Sequence, residues 1–222
     1  MNFTRTGTFN PFPIDIKDPS LVLYLPLWYP ASNMTGSSII SYDKNKVSGT
    51  VTGALWKPKG RYFDETDDTI NVTITIPSSL TILFWGRVDE AGTATATPWD
   101  DCYFRNTASS SLKFDQVNSN NRPLLEFYDG SAWHNLSYNM STSSQKNWNC
   151  YAFTLTNGAQ SIYLNSKLVT TSTYGWVAAD SLRFSGPTFH PARWMGEFVM
   201  YNRILGVGEI ARYYQNSKGR FI

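Results

Sequence analysis

The chain has 222 residues, of which 41% are hydrophobic, 15% aromatic and only 16% charged, and its formal net charge is +2. That balance suits one large all-β domain and excludes a disordered chain or a solvated helical bundle. Lys and Arg are scattered rather than striped, so nucleic acid is not an expected partner. No stretch approaches the ~20 apolar residues of a bilayer span, so no membrane insertion is expected.

Residues 1–19, MNFTRTGTFNPFPIDIKDP, carry Pro11, Pro13 and Pro19 and show no periodicity. They lack the basic-then-apolar order of a secretory signal and read as an extended N-terminal arm ahead of a domain spanning 20–222. Proline lowers the entropy lost on ordering and removes backbone donors, which suits a strap laid across a surface. Phe9, Phe12, Ile14 and Ile16 are its expected anchors, either on its own domain or on a neighbouring subunit of a homo-oligomer.

From Leu21 onward the chain reads as strand after strand. In TINVTITI, residues 69–76, Ile70, Val72, Ile74 and Ile76 alternate with Thr69, Asn71, Thr73 and Thr75. This is the period of a half-buried strand. Further strands are expected at 21–28, 48–53, 80–88, 101–106, 111–117, 123–128, 132–138, 148–156, 160–165, 167–172, 181–185 and 194–202. Asp129-Gly130, Asn157-Gly158 and Asn165-Ser166 mark turns between them. Asn165 suits positive φ, whereas Ser166 stands where Gly would be easier. Only GVGEIARYYQNSKG looks helical, with Ile210, Tyr213 and Tyr214 on one face and Gly219 closing it. About a dozen strands and one short C-terminal helix predict a two-sheet antiparallel sandwich. Cys102 and Cys150 allow one disulfide without implying a framework, and both are expected to be reduced.

LVLYLPLW, SYDKNKVSGTVTGALW, GRYFDETDDTINV, TILFWGRVD, NWNCYAFTLTNGAQSIYLNSKLV and GEFVMYNRILGVGEIARYY follow one another in order. Together they resemble the laminin-G-like modules of the concanavalin A-like jelly-roll superfamily, over roughly residues 20–215. The resemblance implies two curved sheets of six or seven strands with a final helix tucked beside them. Related modules often hold calcium with an Asp just before the last long strand. Here that position is Gly196, followed by Glu197, so the usual ligand is missing.

The stretch YFDETDDTINV packs Asp64, Glu65, Asp67 and Asp68 into five positions. Short carboxylates accept backbone N–H groups in turns, which is the expected role. A calcium site at Asp64, Asp67 and Asp68 is the rival, because hard oxygen ligands suit that ion; no other cofactor is expected. Glycosidic cleavage needs two carboxyls in fixed geometry across the bond, and the alternating Glu, Asp and Glu of laminarinase-like hydrolases has no counterpart. His134 and His190 lie near no nucleophile motif. The expectation is therefore a non-enzymatic protein, with a glycoside hydrolase a distant third choice.

Most of the eight Trp read as core, but Trp99, Trp133 and Trp176 have polar neighbours. On a regular strand Trp133, Asn135 and Ser137 share one face. An indole beside an amide and a hydroxyl offers a plate for the C–H face of a sugar and partners for its hydroxyls. Packing at the sandwich edge or in a subunit contact is the rival role. The expected function is a glycan-binding recognition module, acting at an extracellular or virion surface. The alternative is a structural or host-recognition component of a larger assembly, such as a virion appendage or capsid-associated protein.

Overall fold

The computed structural model describes residues 13–29, 36–64, 67–88, 102–106, 112–117, 122–178, 180–184 and 193–222. The described residues form strands β1 (Leu21–Leu25), β2 (Ser38–Ile40), β3 (Ser48–Thr52), β4 (Leu55–Lys57), β5 (Gly60–Phe63), β6 (Thr69–Thr75), β7 (Leu80–Val88) and β8 (Cys102–Asn106). They continue with β9 (Leu112–Val117), β10 (Arg122–Tyr128), β11 (Trp133–Ser137), β12 (Asn149–Thr156), β13 (Ala159–Leu164), β14 (Lys167–Ser172), β15 (Asp180–Phe184) and β16 (Arg193–Tyr201). A single helical turn, α1 (Thr142–Gln145), precedes β12. Helix α2 (Val207–Ser217) and a 3-10 turn (Lys218–Arg220) close the chain. The short strands β2 and β4 and the turn α1 were not expected from the sequence.

The strands form two antiparallel sheets. The first runs β14-β13-β12-β7-β16-β5-β4, with β1 also paired to β16; the second runs β11-β10-β9-β8-β15-β6-β3-β2. Their facing sides share one core, and aromatic edges meet across it. Phe114 stands 4.6 Å from Phe153, Phe184 4.7 Å from Phe198, and Phe104 5.4 Å from Phe198. The first pair is tilted and the other two are edge-to-face; such aromatic pairs add about 0.5–1.5 kcal/mol each beyond the area they bury. The fold is the expected jelly-roll sandwich.

The two sheets differ on their outer sides. In β7 and β12 nearly every residue is buried, because the back of the first sheet is itself covered. There Leu83, Trp85, Cys150 and Val199 pack under Ile210 and Tyr213 of α2 and under Phe221. Ile14 joins this second cluster, and Pro13 O accepts from Asn216 Nδ2 at 3.5 Å. The described end of the arm thus rests on its own domain; residues 1–12 lie outside the described residues. Cys150 is free and buried in the same layer.

The outer side of the second sheet carries a polar row instead. Strand register aligns Asn135, Glu126, Lys113, Arg105, Arg183, Asn71, Thr50 and Ser38 from one edge to the other. One residue along, Leu136, Leu125, Phe114, Phe104, Phe184, Ile70 and Val51 point into the core. A period of two makes this separation of faces strict.

Candidate functional site

Strand β11 is the free edge of the second sheet, and its outward side carries the residues expected to bind. Trp133 is 44% exposed, with its ring centroid 5.7 Å from that of Tyr128 across the hairpin and tilted by 48°. The hairpin is held by Asp129, whose Oδ1 accepts from the backbone of Ser131 and Ala132, each at 2.7 Å. Its Oδ2 meets His134 Nε2 at 2.6 Å. These contacts, led by His134, hold the Asp129 carboxyl well below the usual carboxylate range. His134 is also stacked on Tyr174 at 3.9 Å, so it ties segment 173–178 to β11.

Asn135 lies opposite Glu126. With its amide turned so that Nδ2 faces inward, it donates to Glu126 Oε1 and the His134 carbonyl, both at 3.1 Å. Glu126 is in turn ion-paired with Lys113, and both are buried. The Asn135 amide is thereby fixed through its Nδ2. Ser137 follows two residues on, half-buried. The structure therefore brings Trp133, Asn135 and Ser137 onto one face, with Tyr128 beside them.

Trp176 is not part of this surface. It is only 6% exposed and belongs to the main core, and its Nε1 donates to the Ser78 carbonyl at 2.7 Å. Its polar neighbours suggested exposure, but Tyr174 and Val177 take the solvent-facing positions. Trp99 and His190 lie outside the described residues.

The acidic turn is a separate feature. The carboxylates of Asp64, Asp67 and Asp68 approach within 4.8 Å of one another, so these are the residues that could hold a cation. Asp68 is 3% exposed, and its Oδ2 accepts from the Asp64 N–H at 2.7 Å, closing the turn. Gly53, at φ +70, permits this: a Cβ there would meet Asp68 Oδ1 at 1.8 Å. Burial raises the Asp68 pKa to about 6, with Asp64 and Asp67 adding to the rise against the backbone hydrogen bond.

A further cleft lies beyond the end of β11, lined in part by Tyr138, Asn147, Trp148, Asn149, Asn165 and Tyr214. From sequence alone Trp148 reads as core and Asn165 as a turn residue. The cleft joins segments far apart in the chain, so no local pattern announced it.

An antiparallel two-sheet sandwich with one helix-covered back and one polar back is a lectin-like jelly roll. The chain belongs to the laminin-G-like family: a model described as the concanavalin A-like lectin/glucanases superfamily matches residues 64–211. No curated protein matches it. Among solved structures it is similar to the botulinum neurotoxin serotype D binding domain, with a TM-score of 0.74 at 13% identity, covering 89% of this chain and 52% of that one. It is also similar to the serotype D ligand binding domain in complex with N-acetylneuraminic acid, with a TM-score of 0.71 at 14% identity and 89% and 51% coverage. The type G receptor binding domain gives a TM-score of 0.69 at 15% identity, with 88% and 51% coverage. This chain spans about half the length of those structures.

Proposed function

We propose that the protein is a non-enzymatic carbohydrate-recognition module that binds sugar on the outward face of β11. The observation that carries this reading is the exposed Trp133 plate on the same strand face as an Asn135 amide fixed by Glu126. A sugar ring laid on the indole presents its hydroxyls to Asn135 and Ser137, and neither needs to reorganise far. Pre-organised polar groups beside an aromatic plate are what orient a small ligand. A similar solved domain was captured with N-acetylneuraminic acid, which adds support for a saccharide ligand.

Single sugar sites are weak and gain strength by repetition. The reading therefore extends to a multivalent setting: a homo-oligomer or larger assembly at an extracellular or virion surface, facing a cell-surface polysaccharide. The test is a glycan array followed by titration of the best ligand into wild-type protein and Trp133→Ala. Loss of one stacking contact, worth about 0.5–1.5 kcal/mol, is expected to weaken binding roughly 2- to 12-fold, while the fold is retained. Undiminished binding by the variant, or no ligand on the array, would reject the reading.

A further inference from the structure

The cleft beyond β11 does not share the Trp133 surface, and its lining joins uncharged polar side chains to Met140, Leu164 and Ile222. It has a volume of about 530 Å³ and lies between the 138–149 segment, the β13–β14 hairpin and the C-terminal end of α2. That size falls within the ~300–1,000 Å³ common for small-molecule sites. No Asp, Glu, Lys or Arg lines it; the polar lining is Asn and Ser, and the aromatic lining is Tyr and Trp.

The amides of its frame are held in place. Asn149 Nδ2 donates to the Ser144 and Asn147 carbonyls at 2.8 and 2.9 Å. Asn165 Nδ2 donates to Asn149 Oδ1 at 3.1 Å, and Asn165 Oδ1 accepts from the Cys150 N–H at 2.9 Å. The hairpin that presents Asn165 has positive φ at both central residues, 49° at Asn165 and 69° at Ser166. This is the turn whose twist matches the flanking strands, so the frame is rigid.

Two groups are left to face an occupant. Asn147 is exposed, and its side chain is held only by a long hydrogen bond among the described residues, from Nδ2 to the Ser143 carbonyl at 3.4 Å. Tyr214 lies half-buried with its ring stacked on Trp85 at 5.7 Å, and its hydroxyl has no hydrogen-bond partner among the described residues. A phenol and an outward amide around a fixed polar frame, with the half-buried Tyr138 beside them, suit a polyhydroxylated ring. The lining itself offers no cation, and Lys218 Nζ is held over the Tyr214 ring, 5.7 Å from its centroid, so an anionic ligand would lose its hydration without a charged partner within the cleft.

We infer that this cleft is a second saccharide site, selective for uncharged sugar units and independent of Trp133. Residue 133 begins β11 and residue 138 follows its last residue, roughly 17 Å away at ~3.4 Å per residue. One monosaccharide cannot occupy both sites. The inference does not rest on the Trp133 reading, and each can fail alone.

The test is titration of ¹⁵N-labelled full-length protein with glucose, galactose and N-acetylglucosamine, and separately with glucuronate and N-acetylneuraminate. Uncharged sugars are expected to shift the side-chain amide signals of Asn147 and Asn149 and the Trp148 indole signal, with dissociation constants of order millimolar. Asn147→Ala should weaken those shifts several-fold, and Asn147→Trp, which fills the mouth, should abolish them. Trp133→Ala should leave them intact. Thermal melts confirm that each variant is folded. The inference is overturned if no uncharged sugar shifts these signals up to about 50 mM. It is equally overturned if the charged sugars bind as well, or if the folded Asn147 variants bind like wild type.

Discussion

Glu197 is the one side chain whose removal should test how the helix is attached to the sandwich. Its carboxylate is fully buried on the outer side of β16, beneath α2. It accepts from Tyr213 Oη at 2.8 Å, Trp28 Nε1 at 3.0 Å and Tyr24 Oη at 3.2 Å, and Arg220 reaches it at 3.5 Å. Burial, with Glu197 nearby, pushes both phenols well above their ordinary pKa, so they remain donors. Glu197→Ala takes the shared acceptor from three donors and the counter-charge from Arg220. Orphaned buried donors cost about 1–3 kcal/mol each. Water entering the space recovers part of that, so about 3–5 kcal/mol is the expected loss, as for other broken buried ion pairs.

Glu197→Gln separates charge from shape. It keeps one acceptor oxygen but turns an NH₂ toward donors, and should cost about 1.5–3 kcal/mol. Urea unfolding, read by tryptophan fluorescence and extrapolated linearly, measures both variants. A total stability of ~5–15 kcal/mol leaves the Ala variant folded but with a clearly lowered midpoint. A loss below about 1 kcal/mol for Glu197→Ala, or equal losses for the two variants, would refute the shared-acceptor argument.

At Asp68 the folded pKa of about 6 lies above the ordinary value of 3.8. Ionisation is therefore harder in the folded state, and its contribution to stability should fall as pH rises from about 4 through about 6. Asp68→Asn should flatten that slope in melts across the range, and an unchanged slope would mean Asp68 is not its source. If the acidic turn is purely structural, EDTA should leave the melting temperature almost unchanged; a large drop restored by Ca²⁺ would instead make Asp64, Asp67 and Asp68 ligands. Deleting residues 2–12, which carry Phe3, Phe9 and Phe12, should lower the assembly mass seen by light scattering without unfolding the sandwich. Unchanged mass, or an intact protein that is already monomeric, would count against a strapped homo-oligomer.

The elements that the sequence made plain are those whose burial is periodic. TINVTITI runs as β6 from Thr69 to Thr75, with Ile70 and Val72 buried, and GVGEIARYYQNSKG forms α2 with Ile210 and Tyr213 buried. Strands β2, β4 and β5 are three or four residues long, too short for any period to show. Trp176 misled because exposure was judged from its neighbours, whereas its indole is carried inward to the Ser78 carbonyl. On β11 alternation was enough, since an edge strand with one solvated face obeys period two. The second cleft was illegible because its walls come from residues near 140, 165 and 214, joined only by the folded topology.

Gly196 explains why the back of the first sheet is closed by side chains. The ladder between β16 and β7 slips there: Met195 faces Gly86 and Glu197 faces Trp85. Such a bulge reverses the alternation of every later residue. Met195 points to the main core, while Glu197, Val199 and Tyr201 turn outward under α2. A Cβ at residue 196 would meet the Phe221 ring at 2.2 Å, so no Asp fits unless the end of the chain moves. The bulge thus sets a carboxylate among phenols and an indole, and the helix they hold covers one back of the sandwich. Among the described residues no helix lies on the polar back of the second sheet, and that back and the adjoining cleft are where we propose that a ligand is recognised.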